Sequence, residues 1–68
     1  MTEMQKIWLK ALYVEEAKDH YAMAAIEHLC ALGSHDNETA TMHESNADEH
    51  REFANMLKTM AKKINEEE

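Results

Sequence analysis

Apolar and polar positions divide the chain into two long periodic stretches separated by one break. In the first, from about Thr2 to Leu32, an apolar arc is made by Met4, Ile7, Trp8, Ala11, Val14, Tyr21, Ala22, Ala25, Ile26, Leu29 and Leu32. Their recurring spacings of three and four residues are those of one helix face. The arc is wide, and Leu9, Leu12, Tyr13 and Met23 extend it. One packed helix needs less than this, so part of the arc is expected to remain for another molecule. Glu15 and Lys18 interrupt it near the middle, at a spacing that lets them pair. Lys18 is expected to keep its charged end in water and reach Glu52 across the molecule; the alternative is a buried pair that sets the register of a dimer.

The break is "GSHDNE", residues 33 to 38. Gly33 suits the left-handed conformation that ends many helices, and Ser34, Asp36 or Asn37 can cap the next one. The second stretch, from about Glu38 to Asn65, has a clean apolar stripe in its later half: Phe53, Leu57, Met60, Ala61 and Ile64. Followed back toward the break, the same face carries Thr39, Met42, His43, Asn46, Ala47 and His50, which is mostly polar. The free end of the molecule is therefore expected to be greasy inside and the turn end wet.

These stretches predict an all-α fold, an antiparallel two-helix hairpin. It forms a single domain over 1–68, with a helix over about 2–32, a turn over about 33–37, a helix over about 38–65 and an acidic tail at 66–68. Helices of this length run on the order of 45 Å, and two of them side by side form a flat plate. Such a plate is expected to pair with a second copy into a four-helix bundle. In size and outline, with no shared motif, the hairpin is similar to the plasmid copy-number RNA-binding hairpins of the Rop type. The turn should set His43 level with Glu27 and His28, and His50 level with His20, with Tyr21 between.

Composition agrees: no Pro, one Gly, and many Ala, Glu, Lys, Met and Leu. A chain of 68 residues buries too little apolar surface for comfortable stability alone. With one cysteine, Cys30, an internal disulfide is impossible, which leaves a metal or a partner chain to supplement the core. Cys30 itself is expected to be a small buried thiol at the core edge. The lone cysteine and the lack of an apolar leader point to the cytoplasm, and Tyr21 to Ile26, the longest uncharged apolar run, is too short to span a membrane.

Candidate chemistry sits mostly in the polar stretch "HESNADEH", residues 43 to 50. It reads first as a hydrogen-bonded layer that fixes register. An alternative is a zinc or iron site formed by Glu27, His28, His43 and His50, since facing helices can offer such ligands. The Glu-x-x-His spacing of di-metal bundles is not met, because in "EEAKDH" Asp19 stands where the histidine belongs. A turn site from Cys30 and His35 lacks paired ligand spacing. Several histidines in one layer also suggest a response to pH, since an ordinary imidazole titrates near pH 6.5.

Charge then sorts the partners. The net charge is −7, and residues 36 to 50 hold Asp36, Glu38, Glu44, Asp48 and Glu49 with no Lys or Arg. Nucleic acid is disfavoured by that total, although Arg51, Lys58 and Lys62 line one side of the second helix and keep a Rop-like RNA reading open. A basic protein partner fits the charge better. Catalysis is not expected: there is no phosphate loop and no nucleophile in a recognisable setting.

The expected function is thus that of a small acidic interaction protein, a regulator, adaptor or inhibitor, binding a protein partner as a homodimer. Trp8, Leu9, Leu12 and Tyr13, with Glu44, Asp48 and Glu49, are the candidate contact residues. Trp8 is expected to pack in the core, while Leu9 and Tyr13 point beyond the hairpin.

Overall fold

The computed structural model describes residues 1–66; Glu67 and Glu68, and with them most of the expected acidic tail, lie outside the described residues. Two helices, α1 (Glu3–Leu32) and α2 (Asn37–Glu66), pack against each other as a hairpin measuring 52 × 14 × 10 Å. Thr2 and Gln5 start α1 with a reciprocal capping box, the Thr2 hydroxyl accepting from Gln5 N–H and the Gln5 side chain from Thr2 N–H. Asp36 starts α2, accepting from the Thr39 N–H at 2.7 Å and the Thr39 hydroxyl at 3.0 Å.

The turn departs from expectation at Gly33, which is right-handed (φ −87°, ψ −2°). The carbonyls that a left-handed glycine would tie off are satisfied otherwise. Gly33 N–H donates to Leu29 O, Ser34 N–H to Ala31 O, and the Ser34 hydroxyl to Cys30 O at 2.8 Å. With those groups paired, nothing requires a positive φ.

The larger departure is in which face of α1 meets α2. Among the described residues, the buried side chains of α1 are Ala17, Ala24 and Ala31, and those of α2 are Ala47, Ala54, Leu57, Ala61 and Ile64. The alanines recur every seventh residue on both helices, with half-buried Ala40 extending the series on α2. A seven-residue repeat keeps one seam in contact along two supercoiling helices, and side chains this small bring the backbones close. Between the alanine levels lie larger ones. Tyr13 packs on Ala17, Ala54 and Leu57, His20 meets His50, and Glu27 meets His43.

Most of the wide arc read from the sequence therefore faces away from α2 rather than into it, although Tyr21, half-buried against Ala17, Ala54 and Leu57, still meets α2. Trp8, expected in the core, is 66% exposed, and Met4, Ile7, Ile26, Leu29 and Leu32 are exposed as well. On α2, Leu57, Ala61 and Ile64 are core as expected, but Phe53 and Met60 lie on the surface. Cys30 is exposed, not buried, because it lies one residue off the seam that Ala31 occupies. Hydrophobicity ranks the large side chains above alanine, but side chains as small as alanine let two helices close toward the short end of the roughly 8–10 Å packing range.

Candidate functional site

The polar levels near the turn are arranged on the two broad faces of the plate. On one face, His20 Nδ1 and His50 Nδ1 lie 2.9 Å apart, so one ring nitrogen donates and the other accepts. The Phe53 ring packs on His20 with centroids 4.6 Å apart. Nearer the loop, His43 Nδ1 approaches Glu27 Oε2 at 2.5 Å. That bond to His43 holds the Glu27 carboxyl below its ordinary pKa, with Asn46 adding a further hydrogen bond. Together His20, Glu27, Asn46, Glu49, His50 and Phe53 line a shallow depression.

The opposite face has different chemistry. His28 Nδ1 meets Glu44 Oε1 at 2.6 Å, Tyr21 O–H donates to Asn55 Oδ1, and Lys58 Nζ stands 5.7 Å above the Tyr21 ring. Toward the free end, Lys10, Lys58 and Lys62 line a second shallow depression with Val14, Asn55 and Thr59. Arg51, on the same side of α2, is bound to Asp48 at 2.5 Å. The cations of α2 named for a nucleic-acid reading thus share one face, with Arg51 already partnered.

The register expected from the turn position is the one found: His43 beside Glu27, His50 beside His20. The four residues named as metal ligands divide, however. Glu27 and His43 touch, His50 belongs to the next level with His20, and His28 is on the other face with Glu44. Among the described residues, no three His, Cys, Asp or Glu side chains converge as a metal site.

The named contact residues also divide. Trp8 and Leu12 are exposed, while Leu9 is half-buried and Tyr13 turns inward onto the alanine core, the reverse of the expected orientation of Trp8 and Tyr13. Glu44 is held by His28 and Asp48 by Arg51, whereas Glu49 lies on the Phe53 face. Lys18 does not reach Glu52; among the described residues neither Glu15 nor Lys18 makes an ion pair, and both are exposed.

What the sequence reading missed is the extent of the Phe53 face. Met42, Asn46, Glu49, Phe53, Met56 and Met60 follow one another at three- and four-residue spacing along α2, and every apolar member is exposed. Across the depression α1 contributes His20 and Glu27, and Leu12, Glu16 and Met23 continue that side of the helix at the same spacing. Neither stripe contains Lys or Arg. The signal was present as the alanine heptads, which fix the inner seam and hence this face.

Comparison with known proteins returns nothing: no family model, no curated protein and no solved structure matches the chain. Among the described residues, no helix is long and apolar enough to cross a membrane.

Proposed function

We propose that this chain is a small acidic interaction protein that works as a homodimer and binds a basic, amphipathic helix of another protein. The observation that carries the reading is the inversion of the hairpin: alanines, with Leu57 and Ile64, form the inside, and most of the large apolar side chains are outside. Exposed apolar surface of that extent marks an interaction site. The Phe53 face is suited to a partner helix. Its methionines are flexible and polarizable, which lets a groove adapt to an incoming side chain, and Phe53 offers a rigid anchor. Glu16 and Glu49, with no Lys or Arg in either stripe, set the sign of the partner's flanking charge. Binding would block or recruit the partner, which is the action of a regulator, adaptor or inhibitor.

The test is calorimetric titration of the full chain with two synthetic helices that share one leucine stripe, one flanked by lysines and the other by glutamates. The lysine helix should bind, more weakly as salt rises, and Phe53→Asp should abolish it without changing the helix content. Equal binding of both helices, or binding that survives Phe53→Asp, would contradict the proposal.

A further inference from the structure

The outer side of α1, turned away from both α2 and the Phe53 face, carries a second seven-residue pattern. Trp8, Glu15, Ala22 and Leu29 form one series, and Met4, Ala11, Lys18 and Ala25 form the other. These are the alternating positions of a coiled-coil seam. Among them Met4, Trp8 and Leu29 are exposed large apolar side chains, and Glu15 and Lys18 are exposed charges without a partner among the described residues.

Read from opposite ends, the two series are complementary. When the helix is laid antiparallel to itself with Glu15 level with Lys18, Ala11 falls level with Ala22, Trp8 with Ala25 and Met4 with Leu29. The charges meet with opposite sign, twice. The largest side chain meets a small one, and the small pair beside the centre permits close approach. Ile7 and Ile26 flank the seam and add apolar area. A parallel pairing would set Glu15 against Glu15 and Trp8 against Trp8. Sliding the antiparallel pair by one heptad would place Glu15 and Lys18 against apolar side chains. The pattern therefore selects one orientation and one register.

We propose that two copies of the chain join along this outer seam of α1, antiparallel about a two-fold axis, with Glu15 of each copy paired to Lys18 of the other. The inference rests on the homodimer reading above and names the surface that forms it. The charge pattern supports a second copy as the occupant, because a seam that carries one Glu and one Lys at mirrored positions is complementary to itself. Because the seam lies opposite α2, the dimer is a flat row of helices, α2 and α1 of one copy followed by α1 and α2 of the other, and not a square bundle. Both Phe53 faces stay open.

Charge exchange tests this. Glu15→Lys and Lys18→Glu, each in the full chain, place like charges in both central pairs of their own homodimer. Neither variant alters the inner seam, and circular dichroism should show the helix content of the parent. By native mass spectrometry each variant alone should dissociate at roughly tenfold or more above the parent's concentration, while an equal mixture should recover a mixed dimer, because the two lysines of one variant's seam then face the two glutamates of the other's. A charge pair confined to one helix cannot produce that recovery. Variants that dimerise as tightly as the parent and mix at random would overturn the seam while leaving the homodimer. A parent that stays monomeric at all concentrations would overturn both.

Discussion

The two seams of α1 are built from opposite ends of the size scale. Inside, Ala17, Ala24 and Ala31 present one methyl each to α2, and Ala54 opposite them is fully buried. Outside, Trp8, Met4 and Leu29 present some of the largest side chains in the chain to water. The inner seam gains closeness: short side chains bring two backbones together over many turns, so dispersion is collected from the backbone itself. The outer seam gains nothing until something covers it. The contrast teaches that apolar content and core location are separate properties in a two-helix chain, where packing distance can outrank hydrophobicity in choosing the inside.

The contrast between the seams breaks most readily at the level where the inner one is not alanine. Leu57, beside Tyr13 and Ala54, is the largest buried side chain in the middle of α2. Leu57→Ala should cost about 2–5 kcal/mol, enough to unfold a hairpin of this size, in urea denaturation followed by circular dichroism. Next in size is the reverse error. Ala54→Leu adds bulk where no space exists and should cost about 1–3 kcal/mol by the same measurement, although leucine is the more hydrophobic residue. A stabilised Ala54→Leu variant would show that the seam is loose.

A smaller effect should come from acid. The Glu27 and Asp36 carboxyls are both held below their ordinary pKa, the first chiefly by the hydrogen bond with His43, the second by the Thr39 N–H. A depressed folded-state pKa means the unfolded chain binds more protons in that window. The stabilisation is therefore complete above the ordinary carboxylate range, about pH 4, and is lost as the pH falls through and below it. Asp36 is exposed and Glu27 only half-buried, so the loss should be modest. Thermal unfolding across this range should show the turn end weakening in the parent and less so in Glu27→Gln, whose amide does not titrate.

The smallest change concerns the turn. Gly33 is right-handed, and a Cβ there would meet Leu29 O at 3.7 Å and Cys30 O at 3.8 Å, ordinary contacts. Gly33→Ala should therefore raise stability by about 0.4–1 kcal/mol in urea denaturation by limiting the unfolded chain, where a left-handed glycine would have lost it.

The hairpin itself, its break at Gly33 and the levels that set His50 by His20 and His43 by Glu27 and His28 were legible in the sequence, whereas Ser34, Asp36 and Asn37 were equal candidates for the cap that Asp36 supplies. Two helices joined by a short turn have one antiparallel register, and the turn position sets it. The rotation of α1 was not legible by weighing large side chains, because Trp8, Ile26 and Leu29 outvote Ala17, Ala24 and Ala31 on any hydrophobicity scale. The alanines were detectable only as a repeat shared by both helices. From that rotation follow the exposure of Trp8, the inward turn of Tyr13 and the open Phe53 face. The polarity of "HESNADEH" has the same origin. His43 and His50 occupy the levels that Leu57 and Ile64 fill further along α2, and near the turn those levels close with hydrogen bonds between alanine levels.

Trp8 is the chain's one tryptophan, so its fluorescence reports the outer seam alone. Its emission should be followed as the full chain is diluted, with circular dichroism recorded alongside. Emission should be blue-shifted at high concentration, where a second copy covers Trp8, and should shift to the red on dilution while the helix content holds. Blue emission at every dilution would place Trp8 inside the hairpin, against the inversion of the core; red emission at every concentration would overturn the proposed pairing of two copies along the outer seam.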